Sequence, residues 1–154
     1  MSERINGELH DRVIAWIADE VSGADAEELL GLLTTAADSE SAATDSDAAA
    51  AELADRFAGV LRFGTAGLRG PLRAGPNGMN AAVVRQAAAG LAAQLRDSSP
   101  EPAAAAPLVV IGYDGRHRSQ EFAYDSARVL AAAGLRARLL PRLLPTPVLA
   151  SSGL

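Results

Sequence analysis

Residues 108–113 read LVVIGY, an unbroken apolar run rich in β-branched side chains. It constrains the fold more than any other stretch, because a strand apolar on both sides is the pattern of a covered parallel sheet. The stretch 119–134, SQEFAYDSARVLAAAG, follows with the spacing of a helix, and 135–140, LRARLL, alternates like a second strand. Ser119 is the expected N-cap of that helix and Gly134 its stop. Strand, helix and strand in this order imply a right-handed βαβ crossover, and so an α/β layered fold.

Upstream of that unit, 80–96 spaces Val83, Val84, Ala87, Leu91 and Leu95 along one helical face. VLRF at 60–63 is a short strand candidate, and SSPEPAAAAP at 98–107 reads as a loop. The first third reads as a helical arm. One helix is expected over 8–22 and is ended by Gly23. A second runs from about 25 to 37, with Asp25 as N-cap and Glu28 closing a capping box. The polar stretch 38–47, DSESAATDSD, reads as a loop or linker before a third helix over about 48–57. The boundary is therefore drawn between an acidic arm, 1–57, and a body, 58–154.

Charge follows the same division. Residues 1–55 hold fourteen Asp and Glu against two Arg, whereas 56–154 hold five against twelve, and the sum is the net charge of −5. A basic body almost free of aromatics does not suit stacking on nucleic-acid bases. It suits a small anionic ligand drawn in by the local field, or else the acidic arm simply packs against it. All fourteen basic residues are arginine. That bias matches alanine richness and lowers the weight any single arginine carries. With no cysteine there is no disulfide framework and no thiolate chemistry. The polar start MSERINGELHD is not a secretory signal, and no apolar stretch approaches a membrane span. The expectation is a cytoplasmic protein with neither membrane nor nucleic acid as a partner.

Two glycine-bearing loops stand where ligands meet α/β sheets. The first, RFGTAGLRG at 62–70, carries Thr65, Gly67, Arg69 and Gly70. Its glycines permit a bend unlike an ordinary hairpin turn, in which amide groups and the fork of Arg69 face phosphate oxygens. The plain alternative is a glycine-rich loop with a solvated arginine. The second, GYDGRHRS at 112–119, sets Asp114, Arg116, His117 and Arg118 ahead of a helix N-terminus. Here the plain alternative is a turn made by Asp114 and Gly115 and a set of solvated cations. His10 has no neighbour at metal-ligand spacing. The body has no carboxylate cluster suited to Mg²⁺ and no triad. The residues by themselves support phosphate or sugar-phosphate binding without a complete catalytic set.

FGTAGLRG, GPNGMN, VVIGYDGRHRSQEFA and LLPTPVLA, in that order, resemble the first domain of the α-D-phosphohexomutases, most closely the branch with phosphoglucomutase-2-like and phosphopentomutase-like enzymes. The resemblance implies an enzyme of four α/β domains around a cleft. A phosphoserine passes its phosphoryl group to a hexose or pentose phosphate through a bisphosphate intermediate, with Mg²⁺ between the phosphoserine and three aspartates. By that resemblance Arg69 lies near the phosphoserine as a supporting catalytic residue. Thr65, Gly67 and Gly70 shape the phosphate-binding loop, Arg116 is auxiliary, and Pro145-Thr146-Pro147 forms the turn into the next helix.

The family's Thr-Ala-Ser-His-Asn-Pro segment and Asp-Gly-Asp-Gly-Asp-Arg metal loop do not occur in the 154 residues. Ser151 and Ser152 stand in the wrong context to replace that serine. The body is accordingly expected to be a partial first domain with an incomplete sheet, an unpaired edge and an uncovered apolar face. Alone it is expected to be inactive and to bind no Mg²⁺, its partners being a phosphorylated sugar and the remaining domains of the same enzyme. Two alternatives stay open: a non-catalytic remnant that binds phosphosugar weakly, and an interaction module that uses the acidic arm.

Overall fold

A computed structural model of the chain describes residues 5–38, 42–65, 67–98 and 106–142. The architecture is α/β, with five helices and two sheets of two strands among the described residues. The chain divides into two compact units between Val83 and Val84.

The first unit opens with three helices, α1 (Gly7–Asp19), α2 (Gly23–Ala37) and α3 (Ala43–Arg56). Asn6 caps α1 by accepting from the Leu9 amide at 2.7 Å. That helix ends earlier than its apolar spacing implies. The Glu20 carboxylate accepts from the amides of Val21 and Ser22, and also takes the Trp16 indole N–H at 2.9 Å. Gly23 then opens α2 rather than closing α1. The N-cap is Ser22, which accepts from the Asp25 amide at 3.3 Å, so the capping box of Asp25 and Glu28 does not form. Helix α3 starts within the stretch read as a linker, and Asp45 in its first turn complements the helix dipole.

Val13, Leu29 and Leu53 are fully buried at the centre of this unit, with Leu33, Ala36, Ala49, Ala50, Phe57 and Ala74 around them. Trp16 meets Phe57 edge to face at 6.3 Å. Arg12 lies over the Phe57 ring and donates to the Phe57 carbonyl, so the end of α3 is held by α1. Burying each of these leucines contributes about 2 kcal/mol of hydrophobic stabilisation.

After α3 the chain forms β1 (Phe63–Gly64) and β2 (Gly67–Leu68). They pair antiparallel, Phe63 with Leu68 and Gly64 with Gly67. VLRF is thus not a strand in its own right; only its last residue pairs. The glycine-rich stretch, expected to be a bend unlike a hairpin, is a short hairpin.

Helix α4 (Ala81–Asp97) continues into the second unit, which also holds β3 (Leu108–Ile111), α5 (Ser119–Ala132) and β4 (Arg136–Leu139). Strands β3 and β4 pair parallel with Leu108 opposite Arg136 and Ile111 opposite Leu139, as the strand–helix–strand order implies. Ala92, Leu130 and Leu135 form the buried cluster, with Val109, Ile111 and Ala137 packed on it. The run at 108–113 is shorter and less covered as a strand than expected. It stops at Ile111, and Leu108 is exposed. Among the described residues each strand has only the other as neighbour, so the sheet is incomplete. The expected turn at Pro145-Thr146-Pro147, together with Ser151 and Ser152, lies outside the described residues. No helix among the described residues is long and apolar enough to cross a membrane.

Candidate functional site

The hairpin at 63–68 owes its shape to glycine at two places for two different reasons. Gly67 has φ +94°, a region that L side chains rarely adopt. Gly70 has ordinary backbone, but a Cβ there would lie 2.6 Å from the Leu61 Cδ1. The first glycine turns the chain, and the second lets Leu61 close over the base. Thr65, Gly67, Arg69 and Gly70 are all exposed along this segment. Arg69 has no hydrogen-bond or ion-pair partner among the described residues. Its guanidinium is therefore free for an external anion, and Thr65 offers a hydroxyl on the same hairpin.

Both legs of the hairpin hang from one turn at 73–80. The Leu61 amide donates to the Pro76 carbonyl at 2.9 Å, and the Met79 amide to the Pro71 carbonyl at 2.8 Å. The turn is locked by Asn80, which is fully buried. Its side-chain amide donates to the carbonyls of Arg73 at 3.0 Å and Gly75 at 2.7 Å, while its oxygen accepts from the Val83 amide at 3.0 Å and starts α4. Gly78 packs against the Arg73 carbonyl with no room for a Cβ. The GPNGMN stretch is thus a backbone clasp. The role of Asn80 was readable from its place before a helix, where Asn is a strong N-cap.

The second loop lies in the other unit. Asp114 accepts from the Arg116 amide at 3.1 Å and pairs with the Arg116 Nε at 3.1 Å. The Asp114 amide donates to the Ser119 hydroxyl at 3.2 Å. Ser119 is not the cap of α5 but its first residue. The cap position belongs to Arg118, in left-handed backbone at φ 59°. Arg118 is held by both carboxylate oxygens of Glu121 at 2.8–2.9 Å and lies over the Phe122 ring. Both arginines at this tip are therefore paired, Arg116 within the loop and Arg118 with Glu121 of α5, whereas His117 is exposed. Compared with Arg69, Arg116 has much of its charge already answered.

The amide of Arg116, with help from the Ser119 hydroxyl and the Arg116 charge, holds the Asp114 carboxyl below its ordinary value of 3.8. A lowered folded value means that the carboxylate contributes to loop order above the ordinary pKa. That contribution is lost as pH falls through the folded midpoint. A carboxyl-carbon NMR titration is expected to place Asp114 below free aspartate. Ser119→Ala should move the midpoint part of the way back, and an unmoved midpoint in that variant would remove the hydroxyl from the account.

Among the described residues no group of three or more His, Asp or Glu side chains is placed to hold a metal ion. The described residues thus offer no donor set that fits the Mg²⁺ implied by the family resemblance. A clasp that the sequence did not announce joins α4 to α5. Arg85 donates to both oxygens of the buried Asp125 at 3.0 and 3.1 Å.

Residues 60–152 match the model of phosphoglucomutase/phosphomannomutase, alpha/beta/alpha domain I. The chain belongs to the phosphoglucomutase/phosphomannomutase family. Both candidate loops fall inside the matched stretch. A probable phosphomannomutase of Haemophilus influenzae is 55% identical over 73 residues, which is 47% of this chain and 14% of that protein. A phosphoribomutase of Saccharomyces cerevisiae is 40% identical over 89 residues, covering 58% of this chain and 14% of its own length. A phosphoglucomutase of Staphylococcus haemolyticus is 37% identical over 93 residues, 60% of this chain and 16% of that protein. The chain thus spans about one seventh of the length of these curated relatives. No solved structure matches it significantly.

Proposed function

We propose that this chain supplies the first domain of a cytoplasmic phosphosugar mutase, an isomerase that moves phosphate between the 1- and 6- or the 1- and 5-hydroxyls of a sugar. The observation that carries this reading is the exposed Arg69 on a glycine-shaped hairpin within the family-matched stretch, without a partner among the described residues. Arg69 neutralises charge at a phosphoryl group held on a serine outside these 154 residues, and Thr65, Gly67 and Gly70 shape the approach. Phosphoryl transfer asks a protein mainly for position and charge, and both are what this hairpin offers. Arg116 has an auxiliary part, tied as it is to Asp114. Mg²⁺ belongs to the full-length enzyme, on residues other than those present here. In this reading the acidic helices, 1–57, precede a partial catalytic domain, 58–154.

The test joins DNA to kinetics. Reading the coding DNA past the Leu154 codon, in all frames, is expected to reveal a Thr-Ala-Ser-His-Asn-Pro segment. The 154-residue polypeptide should show no conversion of glucose 1-phosphate or ribose 1-phosphate by ³¹P NMR, and turnover by it would overturn the reading. In the full-length enzyme Arg69→Ala should lower kcat about 100-fold or more, the scale of removing one preorganised group that meets transition-state charge. A change under threefold would remove Arg69 from the site.

A further inference from the structure

We propose that the acidic helices position the phosphate-facing hairpin, and that Arg73, with Arg56 behind it, is the positioning residue that transmits their hold. The inference rests on the reading of the hairpin given above, yet the network is visible without it. Glu52, Asp55 and Arg56 lie at i, i+3 and i+4 on one face of α3. Arg56 is buried. Its Nε donates to Glu52 at 2.8 Å, and its Nη1 donates to Glu28 of α2 at 2.5 Å and to the Ala74 carbonyl at 3.3 Å. Glu28 also accepts from the Ala74 amide at 3.4 Å, so both backbone polar groups of Ala74 end on the helices.

Arg73 repeats the arrangement from the other side. Its guanidinium pairs with Asp55 at 2.7 Å and Glu52 at 3.4 Å, and donates to the Asn77 carbonyl at 3.3 Å. Asn77 closes the circuit. Its amide donates to the Arg56 carbonyl at 3.0 Å and its side chain to the Asp55 carbonyl at 3.1 Å. The turn at 73–80 is thus fixed to α2 and α3, and both legs of the hairpin are fixed to the turn. The buried Nε of Arg73 has no partner among the described residues. A dry, unpaired donor is unfavourable, so the geometry of the two Nη groups outweighs that cost.

Three carboxylates and two guanidinium groups thus hold a loop of the catalytic body on a scaffold of helices. The negative charge of Glu28, Glu52 and Asp55 is spent inside the unit. Arg69 lies outside this network and keeps its charge for a ligand.

The experiment uses the 154-residue chain and reads amide hydrogen exchange at Leu61 and Met79, the two groups that suspend the hairpin. Arg73→Met is expected to speed their exchange at least tenfold beyond the change in global stability followed by Trp16 fluorescence. Val13 in α1 should move only with that global change. Leu33→Ala, a core cavity far along α2, serves as the control of matched destabilisation and should not single out Leu61 and Met79. Equal hairpin exchange in Arg73→Met and Leu33→Ala at matched stability overturns the proposal. Should Arg73→Met fail to fold, Glu28→Gln is read in the same way, with the same two outcomes. A titration with inorganic phosphate, followed at the Gly67 amide and the Arg69 side chain, separates the two readings. Absence of a shift in the wild-type chain removes the phosphate reading and leaves the exchange result to decide the positioning.

Discussion

Asn80→Ala is expected to destabilise the first unit by about 2 kcal/mol, the sum of a lost cap, an Arg73 carbonyl that loses its side-chain donor and a Gly75 carbonyl left with the Gly78 amide alone. The single tryptophan makes this measurable, because Trp16 sits against Phe57 in that unit and reports its denaturant unfolding. Asn80→Asp discriminates between the two halves of the side chain. It keeps an oxygen for the Val83 amide but sets a carboxylate against the carbonyls of Arg73 and Gly75. It should recover none of the loss. If Asn80→Ala unfolds within 1 kcal/mol of wild type, the side chain is not the lock of the turn.

Arg85→Met should cost the second unit about 3 kcal/mol, and Asp125→Asn only about 1 kcal/mol, although both break the same pair. The asymmetry comes from burial. The Asp125 side chain is 7% exposed and that of Arg85 39%. Removing the arginine leaves a carboxylate in the interior, with Arg128 at 3.8 Å as its remaining ion pair among the described residues. Removing the carboxylate's charge leaves a guanidinium that water can reach. Exchange protection across α5, from Ser119 to Ala132, is the readout. Equal losses in the two variants would mean that water reaches Asp125 as well.

The parallel pair was legible because Leu108–Ile111, α5 and Arg136–Leu139 each carry a period of their own and follow one another in the order that defines the unit. The hairpin was not. Its two strands are two residues each and half glycine, so no alternation exists to be read. Glu28 was misread because a carboxylate three residues after Asp25 has the same pattern whether it caps its own helix or pairs with Arg56, twenty-eight residues away. For Ser119 the error was one of direction. The hydroxyl accepts from the Asp114 amide behind it and does not cap the helix ahead. Of the site residues, Thr65, Gly67, Arg69 and Gly70 share one exposed segment, whereas Arg116 stands in the other unit beside an aspartate that no local pattern assigned to it.

The parallel register of β3 and β4 also sets an order in time. The first unit ends at Val83, so its contacts, including those of Glu28 with Arg56 and Ala74, can close while the residues after it are still being made. Strand β3 must wait, because residues 112–135 have to leave the ribosome before β4 exists to receive Leu108–Ile111. Translation at about 5–20 residues per second makes that wait seconds long. Through it, a nascent chain carries an apolar strand with open edges behind an already folded helical unit. Until β4 emerges, the LVVI segment is an unpaired apolar edge of the nascent polypeptide.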